Sequence, residues 1–353
     1  MEVDYLIIGQ GISGSFLSWY LLKAGKKIVV IDDANPNAAS RVASGVINPV
    51  TGRRIVSTWM INELLPFADE AYTAFGKYLN TAIISQNNIL DFHPTSQMQQ
   101  AFIERQKVES TYLRVPEQEE EYKSYFNFNY SVGEITPCYL INLALLIGGW
   151  KQKLHENNAL LKERFEFCYF DTNAFSDKIK YKDIEAQKII FCDGAVGADS
   201  PYFKLLPYAK NKGEALIIEI EGLPDNNIYK QGISLVPWKD NLWWVGSSYE
   251  WNFKDLNPSE TFRHNMERQL KLWLKLPYKI VDHLATERPA NLERRPFVGF
   301  HPLHTNVCLL NGMGTKGCSL APYFANELVN CLLYNTPINP LADINRFKKI
   351  LSR

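Results

Sequence analysis

An α/β fold, made of a parallel-sheet layer drawn from both ends of the chain and an inserted α+β domain carrying a mixed or antiparallel sheet, is what this sequence predicts. Three observations predict it. The chain opens as an apolar run (3–8), a glycine turn (9–14), a helical stretch (15–23) and a second apolar run (27–31), which is the order of a βαβ unit. It closes with another strand–glycine turn–helix series at 306–310, 311–317 and 319–333. Between them, strand-type runs at 215–221, 232–236 and 242–247 precede an amphipathic stretch at 259–276, so a sheet with one helix-covered face is expected there.

The remaining elements follow in order. Residues 58–79 have helical spacing and many aromatic side chains, and the polar region after them, to about 133, has only coarse pattern. Ile135-Thr136-Pro137 introduces a helix running to 155. Alternating runs at 165–170, 178–184 and 188–192 read as strands, the last closing on Asp193-Gly194, and lead back to the first layer. The expected division is a discontinuous dinucleotide domain of 1–75, 135–210 and 289–353, with 76–134 and 211–288 forming a substrate domain.

Composition narrows the partners. The 353 residues are 46% hydrophobic, enough for substantial cores, and 38 basic residues balance 38 acidic ones. With no net field to gather polyanions, nucleic acid is an unlikely partner, and small neutral or zwitterionic ligands fit better. Six dispersed cysteines without a C-x-x-C pair read as reduced structural thiols, and no histidine cluster has metal-ligand spacing. The N-terminus lacks a basic region or cleavage site, and its apolar run is broken by glycines, so the expectation is a cytoplasmic protein without a membrane span. No oligomeric state follows from these patterns.

In Ile8-Gly9-Gln10-Gly11-Ile12-Ser13-Gly14 each glycine has a task. Gly9 permits the tight turn, Gly11 lets a phosphate approach the backbone, and Gly14 lets helix pack on strand. The N–H groups of the first helical turn, at Ile12 and Ser13, then face a pyrophosphate. The second strand ends at Asp32, eighteen residues after Gly14, with Asp33 beside it, where a ribose hydroxyl partner belongs. An acid there suits FAD or NAD and would repel the 2′-phosphate of NADP.

The wider pattern decides between those two. Ser40-Arg41-Val42-Ala43-Ser44-Gly45-Val46-Ile47-Asn48-Pro49 resembles the second flavin-contacting stretch of the D-amino-acid oxidase and glycine oxidase superfamily. Phe191-Cys192-Asp193-Gly194, Arg288-Pro289, Arg295-Pro296-Phe297-Val298-Gly299, Asn311-Gly312-Met313-Gly314-Thr315-Lys316-Gly317 and Leu320-Ala321-Pro322 follow in that superfamily's order and spacing. The second turn also looks similar to the oxidoreductase domain of a bifunctional tRNA-modifying enzyme. The resemblance implies noncovalent FAD on Ser40, Arg41, Ser44, Gly45, Ile47 and Gly194, and on the second turn through Gly312, Gly314, Thr315, Lys316 and Gly317. It implies a Rossmann-like FAD-binding layer and an FAD-dependent amine or amino-acid oxidase or dehydrogenase, passing hydride from a C–N bond of a small substrate to flavin N5. Two alternatives stay open: action on a modified tRNA uridine side chain, and an electron-transfer subunit without turnover of its own.

The resemblance gives Arg288 the task of holding a substrate carboxylate, which a guanidinium does with two parallel hydrogen bonds. An ordinary ion pair to Glu287 or Glu293 is the other reading. Lys316 would stabilise negative charge on reduced flavin; otherwise it is a solvated lysine at an unfavourable helix start. Arg53 and Arg54 are further anion contacts or a solvated basic loop. Trp238, Trp243, Trp244, Tyr249, Trp251 and Phe253 lie where the superfamily builds a substrate wall. Alternation lets only one of Trp243 and Trp244 face a pocket, and core packing accounts for most of the six. None of His264, His283, His301 and His304 has a catalytic partner arrangement, so no acid–base residue is expected.

Overall fold

The computed structural model describes residues 1–52, 55–116, 119–171 and 178–353. The strand Glu2–Ile8 is buried on both faces, which explains its nearly continuous apolar run. It pairs in parallel with Ile28–Ile31 on one side and Ile184–Phe191 on the other, and Val307–Asn311 joins the far side of Ile184–Phe191, again in parallel. The C-terminal ends of these four strands therefore form one edge, the position where ligands of open α/β sheets sit. Helices Ile12–Lys23 and Gly317–Tyr334 start from that edge and pack against each other.

The second large sheet has the order Tyr278–Arg288, Asn211–Ile220, Leu242–Gly246, Ile233–Lys239, Asn227–Gln231, Asn88–Phe92, Val132–Ile135, Leu113–Arg114. Every pairing in it is antiparallel except that of Asn227–Gln231 with Asn88–Phe92, so the sheet is mixed. The poorly patterned region thus contributes three of its strands. A small sheet of Val46–Ile47, Tyr139–Ile141 and Ile84–Gln86 links the two layers.

Three cores follow from these faces. One joins a face of the parallel layer to the near face of the mixed sheet through residues such as Phe16, Tyr72, Ile217 and Trp244. Another fills the opposite face of the parallel layer, and the third lies between the mixed sheet and helix Glu260–Trp273.

Local differences from the sequence pattern have physical causes. The stretch 165–170 is a short 3₁₀ turn, Phe167–Tyr169, leading into Phe170–Asp171. Its rings pack on Tyr181, Phe191 and Tyr202, so its aromatic residues mark packing, and only Phe170 pairs in the sheet, with Tyr181. The helix expected after Pro137 waits for Asn142, whose side chain accepts from Leu145 N–H at 3.0 Å, because Tyr139–Ile141 is first used as a strand. Residues 178–184 turn at Lys182, whose φ is +50°, making a hairpin of Ile179–Tyr181 with Ile184–Phe191.

Candidate active site

At the first turn Gly9 has φ +99°, and a Cβ there would lie 2.5 Å from Cys192 O. A Cβ on Gly14 would lie 1.9 Å from Gly9 O, whereas one on Gly11 would meet only Ser40 Oγ at 3.1 Å. Helix Ile12–Lys23 starts with no side-chain cap from Gly11 and no acidic residue in its first turn. Ser40 Oγ accepts from Ile12 N–H at 3.1 Å, and Ser13 is buried beside it. The start of this helix is shaped for an anion.

Asp32 holds that turn. Its two carboxylate oxygens accept from Gln10 N–H at 2.7 Å and Ala34 N–H at 2.8 Å, and Arg41 reaches it at 3.4 Å. Asp33 is exposed and accepts from Asn35 N–H at 3.0 Å. Downstream, Gly45 has φ +83°, and a Cβ there would lie 2.1 Å from Ile141 O; Ser44 is half-buried and Ile47 buried in the linking sheet. Gly194, φ +61°, follows the strand Ile184–Phe191 at the same edge as Gly9.

The second turn differs in charge. Gly312 and Gly314 have φ of +73° and +57°, Thr315 is exposed, and Gly317 packs on Ile12. Lys316 is largely buried. Its Nζ donates to Thr58 Oγ1 at 3.0 Å, and the Thr58 hydroxyl donates onward to Asn48 O at 3.3 Å. Burial without a counter-ion lowers the lysine pKa to about 8.

Arg288 ends the strand Tyr278–Arg288, opposite Asn211. Its Nη1 donates to Asn211 Oδ1 at 2.7 Å and Ser248 O at 3.0 Å, and Tyr249 covers the guanidinium at 4.5 Å. A Cβ at Gly213 would lie 2.0 Å from Nη2, so the glycine makes room for it. The ion pair with Glu287 or Glu293 is not formed: Glu287 pairs with Lys210 at 3.4 Å and Glu293 with Arg346 at 2.9 Å. Burial lowers the guanidinium pKa from its usual value while Tyr249 opposes the shift. The neighbouring backbone touches the second turn, since Gly314 N–H donates to Pro289 O at 3.1 Å.

Trp244 faces the parallel layer and donates to Val42 O at 2.9 Å, while Trp243 belongs to the core under helix Glu260–Trp273. Tyr249 and Trp251 are exposed. Arg53 and Arg54 lie outside the described residues. The residues Asn211, Gly213, Ser248 and Thr58 were not singled out by sequence pattern. A glycine inside a strand signals a close approach, so Gly213 carried a usable sign; the others carried none.

A parallel layer with two glycine turns on one edge, facing a mixed sheet that presents a buried arginine, defines a dinucleotide-dependent oxidoreductase of two-layer build. The residues fit FAD: one turn offers a helix start with no acidic residue, and the other a buried cation with no counter-ion among the described residues. The chain belongs to the FAD dependent oxidoreductase family, whose profile matches residues 4–330.

Its fold is similar to iminodiacetate oxidase from Chelativorans sp. BNC1, with 17% identity, TM-score 0.78 and 98% of each chain covered. It is also similar to glycine oxidase from Geobacillus kaustophilus, with 14% identity, TM-score 0.80 and 98% of each chain covered. An uncharacterized oxidoreductase, YurR, of Bacillus subtilis (strain 168) is 34% identical over 56 residues, which are 16% of this chain and only 15% of that protein. Among the described residues no helix is long and apolar enough to cross a membrane.

Proposed function

We propose that this protein oxidises a C–N bond of a small amino acid or N-substituted amine, with Arg288 holding the substrate carboxylate. The observation that carries this reading is a half-buried guanidinium seated against Gly213, with two neutral acceptors on Nη1 and no carboxylate partner among the described residues. Leaving a buried charge unpaired is costly, so a carboxylate brought by a ligand gains a strong bidentate contact. The solved glycine oxidase and iminodiacetate oxidase, named for carboxylated amines, support the same class.

FAD, when bound, supplies the acceptor for a hydride from the carbon beside the amine. The chain's own residues supply positioning and charge. Arg288 fixes the carboxylate, and Asn211 and Ser248 fix Arg288 in turn. Trp244 forms part of an apolar wall on the same sheet face. Lys316, held by Thr58, would supply a cation to offset negative charge on the flavin when FAD is bound. A neutral amine substrate needs no protein base at carbon.

The test is anaerobic mixing of the purified flavoprotein with glycine, sarcosine, iminodiacetate, D-amino acids and L-proline. At least one is expected to bleach the flavin absorbance, and Arg288→Leu is expected to slow that bleaching by about 10³-fold while keeping the flavin. Bleaching by none of them removes the support for this reading.

A further inference from the structure

Asp193 follows the central strand Ile184–Phe191, between the strands that end in the two glycine turns. The order along the edge is therefore Asp32, the first turn, Asp193, the second turn. A dinucleotide with its ribose at Asp32 and its pyrophosphate on the first helix must cross Asp193 to reach the second turn. A Cβ at Gly9 would lie 3.3 Å from Asp193 Cα, so the acid adjoins the turn that receives the phosphates.

The carboxyl is fixed there. Asp193 Oδ1 accepts from Asn311 Nδ2 at 2.9 Å; the same Asn311 amide donates to Gly194 O at 2.9 Å and its Oδ1 accepts from Gly312 N–H at 2.7 Å. Asn311 thus ties the acid to the second turn. A side chain at Gly197 would lie 2.6 Å from both Asp193 Oδ1 and Asn311 Nδ2, so glycine there makes room for this pair.

The titratable groups facing it are Cys192 from its own strand and Tyr208 from the segment before Asn211–Ile220, both kept neutral by burial. Asn311 and Gly9, from the flanking strands, carry no charge. No cation among the described residues offsets the carboxylate, and burial raises its pKa to about 7 although its own N–H and the Asn311 amide pull it down.

We propose that Asp193 contacts FAD as a neutral acid, donating its proton to an oxygen of the cofactor where the diphosphate meets the ribityl chain. A carboxylate beside two phosphate charges would be repelled, whereas the acid form adds a donor. This rests on FAD being the cofactor, and it makes binding take up a proton as pH rises past neutrality.

Wyman linkage then sets the sign: the binding form is full below pH 7, and affinity falls by up to about tenfold per pH unit above it. Lys316 titrates near 8, so the measurement is made in a Lys316→Met background as well as in the wild type. The dissociation constant of FAD is read by flavin fluorescence on dilution of the full-length holoprotein at pH 6, 7 and 8. The expected result is about a tenfold weakening from pH 6 to 8 in both proteins. Asp193→Asn, which mimics the neutral acid, should bind within about twofold of the pH 6 value at every pH. A flat or strengthening profile in the wild type overturns the proposal, as does a folded Asp193→Asn protein that binds tenfold more weakly at pH 6. Should that variant not fold, the slope of the two other proteins still decides. Failure of FAD to bind at any pH would instead remove the cofactor reading on which this rests.

Discussion

At the first glycine turn a methyl group on Gly14 would sit 1.9 Å from Gly9 O, while at the second turn a methyl on Gly317 would meet nothing closer than 3.5 Å. The two turns start helices from the same sheet edge, yet their glycines answer to different demands. In the first, the protein's own backbone forbids a side chain, and charge comes only from helix N–H groups. In the second, Gly312 is hemmed in by side chains, with Phe297 2.8 Å from a Cβ there, but Gly314 and Gly317 are looser, and a buried lysine supplies a full charge. The first is a fixed steric frame; the second is an electrostatic device whose strength depends on protonation. Substitutions at each should fail in different ways.

The largest effect is expected from Gly14→Ala. The overlap with the Gly9 carbonyl is beyond any rotamer adjustment, so the helix must leave the strand and the anion site with it. The ratio of flavin to protein absorbance should fall to near zero, with thermal unfolding broadened or lost. Full flavin content would show that the frame is less rigid than these distances imply.

Arg288→Leu comes next and leaves both turns intact. Loss of a buried charge-assisted contact predicts a fall in kcat/KM of about 10³-fold, or about 4 kcal/mol, for a carboxylated substrate at unchanged flavin content. Gly213→Ala should act on the same contact from behind, because its Cβ would lie 2.0 Å from the guanidinium. A rise in KM of about tenfold or more, with much of kcat retained, would mark a displaced arginine.

The comparison also shows why parts of this molecule were legible in sequence. Gly9, Gly11, Gly14 and Asp32 act within one local βαβ unit, so their spacing alone carries the geometry. Arg288 and Lys316 stood out by resemblance to a family, not by spacing. The groups that hold them, Asn211, Ser248 and Thr58, meet them only through tertiary contacts spanning 77, 40 and 258 residues of chain, and no local pattern records that. Burial was ambiguous in the same way: Trp243 and Trp244 alternate, but their faces are fixed by helix Glu260–Trp273 on one side and Val42 on the other. The aromatic run at 165–170 read as a strand because ring packing and sheet pairing leave similar alternation.

Lys316→Met tests the electrostatic half of the contrast. A lysine depressed to about 8 is charged in the folded protein below that pH, and its burial costs stability there. Between about pH 8 and the unfolded value near 10.5 the unfolded chain binds more protons, so this cost fades as pH rises. The FAD-free variant should therefore exceed the wild type by on the order of 2 kcal/mol at pH 7 and by little near pH 10.5 in denaturant titrations. With FAD bound the order should reverse in flavin chemistry: the variant should form a sulfite adduct more weakly, because negative charge on the ring loses its cation. A stability gap that stays constant with pH would place the lysine in solvent.

The smallest effect is expected at Gly314, and it separates the turns most sharply. Its φ of +57° strains any side chain, but a Cβ there would meet only Ala290, at 3.7 Å. Gly314→Ala should thus cost about 1 kcal/mol of left-handed backbone strain and nothing from overlap, read as a fall of a few degrees in Tm with flavin retained. The same change of one hydrogen to one methyl that empties the first turn would then leave the second working. If Gly314→Ala instead loses its flavin, the second turn is as sterically exacting as the first once FAD is bound, and the distinction between frame and device narrows to the charge on Lys316.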